Sequence, residues 1–166
     1  MNNKPILALL IVISALNLVL TTWLVIELHR PGQLNGPKRT ASLPEELSAA
    51  KRDAIFEQIK NLYNAQNYDE MYAIFSREVQ VRVPKADFIA SMEKLEAAFN
   101  HIEEGAYSNY EFIGNQNGKA FYNLYYTVRL PKSAISSKGS LKITVAVVDG
   151  NVGIYGIYLN SIMEQL

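Results

Sequence analysis

The feature that most constrains this chain is a run of 21 residues, 6–26, in which no side chain is charged. An α-helix rises about 1.5 Å per residue, so a run of this length just crosses a hydrocarbon core of about 30 Å. Fourteen of the 21 residues are Ile, Leu or Val. At about −0.3 to −0.6 kcal/mol each near the bilayer centre, they favour insertion by about 4 to 8 kcal/mol. The sequence therefore predicts a membrane-spanning helix in a single-pass membrane protein.

The run is longer than a cleaved secretory signal requires. Such signals have an apolar region of about 7 to 15 residues and end in small residues at the cleavage site. Here the run ends with the bulky residues Trp23, Leu24, Val25 and Ile26, and Glu27 follows. We therefore expect an uncleaved signal anchor, with Trp23 at the far membrane interface, where indole rings are favoured.

Three polar residues of the run, Ser14, Asn17 and Thr21, are spaced i, i+3 and i+7 and so share one helix face. In lipid, such a stripe can hydrogen-bond a neighbouring helix for about 0.6 to 2 kcal/mol. Alternatively, the two hydroxyls bond to their own backbone and Asn17 is simply tolerated. The stripe is therefore compatible with helix packing in the membrane, but it does not require it.

The orientation of the anchor is indicated by two conflicting observations. Lys4 lies before the run, whereas Arg30, Lys38 and Arg39 lie after it. The positive-inside rule applied to these charges would place the C-terminal domain in the cytoplasm. However, the tail before the run offers few charges to count, and an N-terminal anchor followed by a small domain is a common plan outside the cytoplasm. We expect the domain to be periplasmic or extracellular.

The run is followed by a linker. Residues 30–40 contain two prolines and two glycines in a polar stretch, which is typical of a linker rather than a packed element. The sequence thus predicts an anchor with a short tail at 1–29, a linker at 30–42 and one domain at 43–166, whose length suits a single hydrophobic core.

Composition excludes several classes of function. Residues 43–166 carry 12 Lys or Arg and 15 Asp or Glu, a net charge of −3, which argues against a nucleic-acid partner. The chain contains no cysteine, so disulfides, thiolate catalysis, zinc–thiolate sites and iron–sulfur clusters are excluded. The expected partners are the bilayer, through the N-terminal helix, and a second copy of the chain or another membrane protein.

The first half of the domain has helical periodicity. Ser42 and Glu45 fit a capping box that would open a helix running to about Gln66. Asn67 is a second start signal, before a short helix with apolar residues at i, i+3, i+4 and i+7. A third helix follows, with Gly105 as its expected stop. The apolar faces of the second and third helices consist of Tyr68, Met71, Tyr72 and Phe75, and of Phe88, Met92, Leu95, Phe99 and Ile102.

The remaining segments alternate with period two. Val79, Val81 and Val83 predict a short strand between the second and third helices. Four longer strands are expected in the C-terminal half, joined in part by turns that contain residues tolerant of positive φ. Their ranges are 106–114, 120–130, 140–148 and 152–160, with turns at 115–118 and 149–151. Helices followed by an antiparallel meander indicate an α+β domain with the order helix, helix, strand, helix and four strands.

This order resembles the nuclear-transport-factor-two-like superfamily, a group of cone-shaped α+β folds that includes small bacterial membrane-anchored domains of unknown function. The resemblance is carried by residues 68–76, by Phe88 and by the meander from Tyr107, and it covers about residues 45–160. It implies a sheet curled around the helices, a pocket between them and an outer sheet face that often pairs subunits. Enzymatic members carry Asp, His, Tyr or Arg in the pocket, whereas many others only bind.

No pattern of residues indicates catalysis or a bound metal. His101 is the only histidine after the linker, and Glu103 and Glu104 follow at spacings that do not converge on a helix as metal ligands do. Glu111 is a candidate pocket carboxylate because it is expected to share a strand face with Tyr107, although an exposed strand carboxylate is the simpler interpretation. The chain contains no G-x-S-x-G, P-loop or dinucleotide motif. We therefore expect no enzyme, catalytic residue, metal or cofactor.

Alternation also separates the two faces of the strand at 120–130. The more apolar face is expected to be core, and it consists of Tyr122, Leu124, Tyr126, Val128 and Leu130. Phe121, Tyr125 and Arg129 then lie on the outer face, where aromatic and arginine side chains are typical of an interface. The sequence therefore predicts a membrane-anchored accessory domain that engages a protein partner, itself or a small apolar ligand. The alternative is a small pocket isomerase or hydrolase that uses a carboxylate and tyrosines.

Overall fold

The computed structural model describes residues 42–131, 133 and 135–162. These residues form an α+β domain in which helices precede a four-stranded antiparallel sheet with strand order β1-β2-β3-β4. The expected α+β class of the domain and its four-stranded antiparallel meander are thereby confirmed. The elements are, in chain order, a 3₁₀ turn at Glu45–Leu47, α1 at Ala49–Asn64, α2 at Tyr68–Ala73, α3 at Arg77–Arg82, α4 at Lys85–Phe99, β1 at Glu104–Gln116, β2 at Lys119–Arg129, β3 at Lys138–Val148 and β4 at Asn151–Ser161.

The expected membrane anchor at 6–26, with its stripe of Ser14, Asn17 and Thr21, lies outside the described residues, as does the 30–40 linker. In the part of the chain that the structure does describe, no helix is both long enough and apolar enough to cross a bilayer.

The domain does not begin with the expected capping box. Residue Pro44 is extended and starts a 3₁₀ turn, in which the Leu47 N–H bonds the Pro44 carbonyl at 2.9 Å. The Leu47 side chain is completely buried, and the turn that carries it contacts β4. Ser48 is extended, so α1 begins only at Ala49. Leu47 therefore packs in the core from the 3₁₀ turn that precedes the first α-helix.

The expected strand at Val79–Val83 is wrong, because residues Arg77–Arg82 form the short helix α3. Ser76 caps its N-terminus by accepting from the Val79 N–H. The Tyr72 hydroxyl lies 2.7 Å from the Gln80 carbonyl oxygen, and the Gln80 amide donates back to the Phe75 carbonyl at 2.9 Å. Val81 is 74% exposed, so the alternating valines do not mark a buried strand face.

Helix α4 ends earlier than Gly105, the stop expected from the sequence. Asn100 adopts a positive φ of 57° and ends the helix, whereas Gly105 lies in β1. A Cβ at Gly105 would lie 2.7 Å from Cε2 of Phe56, so the glycine is required for close packing of β1 on α1. Asn64, the last residue of α1, also links α1 to the segment before β1. Its side-chain oxygen accepts from the Ile102 N–H at 2.9 Å, and its amide donates to the Ile102 carbonyl at 2.7 Å.

Two tight hairpins set the register of the sheet. Asn117 and Gly118 join β1 to β2, and Asp149 and Gly150 join β3 to β4, with φ between 47° and 76° at all four residues. Two-residue loops with positive φ at both positions match the right-handed twist of the flanking strands. Both turns were expected at these places from the sequence.

The core lies between α1 and the inner face of the sheet. The predicted core face of β2 is confirmed, because Tyr122, Leu124, Tyr126, Val128 and the following Leu130 are all at most 5% exposed. The Tyr126 ring stacks on Phe56 of α1 with their centroids 4.8 Å apart. The inner face of the sheet is therefore filled by large side chains from the strands and from α1.

Candidate interaction surface on the sheet

The sheet face opposite α1 is called the outer face. On β2 the register places Phe121, Asn123, Tyr125, Thr127 and Arg129 there, alternating with the buried core residues. All three residues expected at an interface thus lie on the outer face. Along a strand they are four residues apart, about 13 Å between neighbours, so they do not form one cluster.

Phe121 is covered within the domain itself. Its side chain is 6% exposed, and its ring packs edge-on against Tyr155 of β4 with their centroids 5.0 Å apart. The register of β4 against β3 shifts between Thr144 and Val145, and Tyr155 is the extra residue of β4 at that point. This bulge brings an additional aromatic ring over the predicted interface residue.

Arg129 is exposed but already carries two ion pairs. Its guanidinium lies 2.9 Å from a carboxylate oxygen of Glu103 and 2.7 Å from one of Glu104. Exposed ion pairs of this kind contribute about 0 to 1 kcal/mol each. A binding partner that pairs with Arg129 could therefore displace Glu103 and Glu104 at little cost. Arg129 therefore marks a charged margin of the outer face.

The centre of the outer face is a hydrogen-bonded network across β1, β2 and β3. Glu111 accepts from the Asn123 amide at 3.0 Å and from the Tyr125 hydroxyl at 2.9 Å. The Asn123 side-chain oxygen accepts from the Thr144 hydroxyl at 2.8 Å. The bonds from Asn123 and Tyr125 lower the pKa of the Glu111 carboxyl, and the charge of Lys142 adds to this effect. These contacts therefore stabilise the charged form of Glu111.

A bulge in β1 decides which face Glu111 occupies. Tyr107 pairs with Tyr126 on the inner face, but the register shifts before Asn109, and Glu111 pairs with Asn123 on the outer face. The expectation that Glu111 shares a face with Tyr107 is therefore wrong. As a result, the carboxylate does not enter the space beneath the sheet.

A row of three side chains crosses the outer face beside this network. Tyr125, Lys142 and Tyr158 are register partners on β2, β3 and β4, and all three are partly exposed. The Lys142 ammonium lies 5.2 Å from the centroid of the Tyr158 ring. We call these residues the tyrosine–lysine row; it presents a cation between two aromatic rings.

A second polar cluster fixes α3 to the sheet. Lys119 at the start of β2 forms an ion pair with Glu78 of α3, and its ammonium donates to the Tyr155 hydroxyl at 2.8 Å. The Tyr155 hydroxyl in turn donates to Glu78 at 2.9 Å. These bonds lower the pKa of Glu78 to about 2, chiefly through Lys119. The cluster also holds the Tyr155 ring in place over Phe121.

The described residues form at least two surface grooves and no group of three metal-ligating side chains. The larger of these two, about 410 Å³, lies between α1 and the β3–β4 hairpin and is lined in part by Ile55, Ile74 and Ile154. The smaller one, about 260 Å³, lies between α2 and α4. The His101 ring hydrogen-bonds to its neighbour Asn100 at 3.0 Å.

Comparison with protein-family models found no match, and comparison with curated protein sequences found no significant relative.

Proposed function

We propose that this chain is a single-pass membrane protein whose α+β domain is a non-enzymatic binding module outside the cytoplasm. The uncharged 6–26 run supports the anchor, because its length and composition suit a bilayer-spanning helix. The Pro- and Gly-containing linker after it would hold the domain near the membrane surface. In this proposal the domain acts as an accessory to a membrane assembly.

The tyrosine–lysine row is the single observation that carries the binding role. Tyr125 and Tyr158 offer large rigid contact areas on either side of Lys142, on a sheet face that α1 leaves open. Tyrosine is enriched at protein interfaces because it combines an apolar body with a polar tip. A protein surface is therefore the ligand that this face fits best.

The filled inner face supports binding over catalysis. Leu47, Phe56 and Tyr126, each at most 3% exposed, occupy the region between the sheet and the preceding helices. An active-site pocket requires open space with titratable groups directed into it. The expected pocket carboxylate, Glu111, is on the opposite side of the sheet.

A second copy of this chain is the partner that we propose for the outer face. A twofold interface places the same patch on both subunits, so the patch must complement itself. Glu111 and Lys142 carry opposite charges on the same face and can each meet the other residue of a twofold-related copy. Anchoring of both copies in one membrane raises their effective concentration.

The order of elements also supports a place in the nuclear-transport-factor-two-like superfamily, with one difference. The segment expected as a short strand before the last helix is the helix α3. Within this proposal, the outer sheet face corresponds to the face through which members of that superfamily often pair.

The experiment that tests the proposal is membrane topology mapping. Because the chain has no cysteine, Ser137→Cys places a single label site in an exposed loop. A membrane-impermeant maleimide should label it in intact cells, whereas the control Asn3→Cys, on the other side of the run, should react only after lysis. The reverse pattern would place the domain in the cytoplasm and refute the proposed location, and labelling of a soluble, unanchored protein would refute the anchor.

A further inference from the structure

Helix α3 is short and contributes no buried residue to the core. It spans only Arg77–Arg82, and the Val81 side chain is largely exposed. Helices of fewer than about 12 residues are marginal in water unless tertiary contacts support them. Because no side chain of α3 is buried, its helical state depends mainly on polar contacts with the rest of the domain.

Polar side chains supply these contacts. The Tyr72 hydroxyl lies 2.7 Å from the carbonyl oxygen of Gln80. The Gln80 amide donates to the Phe75 carbonyl at 2.9 Å, and Glu78 forms its ion pair with Lys119. Each contact replaces a contact with water, so the net stabilisation from each is modest. The helical state of this segment is therefore held by a few weak interactions.

The sequence of the same segment favours an extended conformation. Val79, Val81 and Val83 are spaced two apart, which is the period of a strand, and β-branched side chains are favoured in strands. They have the same parity as Phe75, which is buried, so an extended chain would direct all four side chains to one face of the sheet. The helix therefore contradicts the local preference of its own sequence, and such a conflict narrows the energy gap to an alternative state.

The chain enters α3 from the first residue pair of a parallel ladder. β4 is an outer strand of the sheet, and Phe75 forms a parallel bridge with Ile154. The Ser76 N–H donates to the Ile154 carbonyl at 2.8 Å. A fifth strand thus begins beside β4, but it is interrupted when α3 starts at Arg77.

The edge of β4 is open beyond this bridge. The Ile162 N–H donates to the Lys138 carbonyl at 3.0 Å, so Ile162 directs its backbone groups toward β3. Because these directions alternate along a strand, Ile157, Leu159 and Ser161 direct theirs away from β3. Among the described residues, no backbone hydrogen bond reaches those three N–H groups from the open side. Free N–H and C=O groups on an edge are a template for another strand.

We propose that residues 77–83 are a strap with two states, the helix α3 and a fifth strand that pairs parallel with β4. In the helical state the edge of β4 is open to a strand from another chain. In the extended state the strap continues the ladder that Phe75 and Ile154 begin, and it closes this edge. The strap therefore controls whether the sheet can be extended by another chain.

The existing bridge fixes the register of the extended strap. Tyr155 is the extra residue of the β4 bulge, so pairing resumes at Ile157 and would place Val79 beside Leu159. Leu159 is buried, so the valine would gain an apolar neighbour. A strand is longer than a helix by about 1.8 Å per residue. Residues 85–87, which are exposed in the first turn of α4, would unwind to supply this length.

Hydrogen exchange measured by NMR on the full-length chain in a neutral detergent tests the two states. The double variant Tyr72→Phe/Gln80→Val removes two of the polar contacts and keeps the aromatic ring at residue 72. The strap should then extend, and the Ile157 and Leu159 amides should exchange at least about tenfold more slowly than in the unmodified chain, because each gains a backbone hydrogen bond. The ¹³Cα chemical shifts of residues 77–81 should change from helical to extended values.

The matched control carries Val79→Ala and Val81→Ala in addition to the same double variant. It loses the same contacts, but alanine favours a helix over a strand, so the Ile157 and Leu159 amides should gain no protection. Protection in the control equal to that in the double variant would refute the role of the valines and with it the proposal.

Two results for the double variant would also overturn the proposal. Faster exchange within the strap without protection of Ile157 and Leu159 would show that the helix only frays. Unchanged helical shifts would show that the segment has no accessible extended state. Thermal melting verifies that each variant is folded. If the double variant does not melt cooperatively, Gln80→Val alone is measured, with the same expected direction and the same refuting results.

Discussion

The hydroxyl of Tyr126 donates a hydrogen bond to the backbone carbonyl of Arg52, 2.9 Å away and 74 residues earlier in the chain. The same tyrosine ring stacks on Phe56, one helical turn further along α1. One residue in the centre of the sheet therefore fixes both the position and the rotation of α1 through a polar and an apolar contact.

Removal of this hydrogen bond should destabilise the domain measurably. We expect Tyr126→Phe to lower the free energy of unfolding by about 0.5 to 1.5 kcal/mol, because the ring remains and only the bond is lost. Chemical denaturation of the full-length chain measures this change. The matched control Tyr158→Phe, on the partly exposed outer face, should change stability by less than about 0.5 kcal/mol. Equal effects of the two substitutions would contradict the role of the Tyr126 hydroxyl.

Gly105 should tolerate no larger side chain. In Gly105→Ala the new methyl group would overlap the Phe56 ring, 2.7 Å from Cε2 and closer still to Cζ. Since that ring is buried against Tyr126, we expect a loss of about 1 to 3 kcal/mol in unfolding free energy. At Gly156 the nearest atoms to an added Cβ lie at 3.7 Å, so Gly156→Ala is a suitable control. A melting temperature unchanged by Gly105→Ala would show that α1 can move away from β1.

Self-association through the outer face can be tested by charge reversal. Lys142→Glu and Glu111→Lys should each weaken the homodimer by at least about tenfold, because each places like charges opposite one another in a twofold pair. A mixture of the two variants should associate again, since both contacts then join opposite charges. Energy transfer between donor- and acceptor-labelled full-length chains in liposomes, each labelled at Ser137→Cys, measures this association.

The mixture is the decisive sample, because the single variants also disturb the network around Glu111 within one chain. Weak association of both single variants without recovery in the mixture would refute the proposed pairing of Glu111 with Lys142. Undiminished association of the Lys142→Glu variant would show that the outer face is not the contact, and would leave the membrane helices as the source of pairing.

The Glu78–Lys119–Tyr155 cluster predicts a specific dependence of stability on pH. The pKa of Glu78 falls from 4.5 to about 2 on folding, so its contribution is fully present above pH 4.5 and is lost as the pH falls through about 2. The stability difference between the unmodified chain and Glu78→Gln should therefore shrink over this interval. Denaturant titrations at several pH values measure it, and a difference independent of pH would contradict the ionised, hydrogen-bonded state of Glu78.

The sheet was more predictable from sequence than the short helix before it. Alternation identified the buried face of β2 from Tyr122 to Val128, and the Asn117-Gly118 pair identified its hairpin, because both signals are local. The valines at 79, 81 and 83 were misleading because α3 is held to the preceding segment by side-chain hydrogen bonds, from the Tyr72 hydroxyl to the Gln80 carbonyl and from the Gln80 amide to the Phe75 carbonyl. Hydrogen bonds between side chains and the backbone do not produce a periodic pattern in the sequence.

The candidate surface was predictable only in part, because two bulges rearrange it. Phe121 and Tyr125 were correctly placed on the outer face by alternation, but the bulge at Tyr155 covers the first of them. The bulge before Asn109 moves Glu111 to the outer face. The extra residue of a bulge follows from three-dimensional packing, so alternation along one strand cannot locate it.

The meander has a consequence for the order in which the domain assembles. In the described sheet, neighbouring strands are consecutive in the chain, and two of the three connections are two-residue turns. Such local pairings lose little chain entropy, so we expect two independent hairpins to form quickly and then to join between β2 and β3. However, the helices are synthesised before the strands. Leu47 and Phe56 therefore stay exposed to water until the hairpins have been synthesised and pack against them. The newly made helical half is therefore the stage at which this protein most needs protection from aggregation.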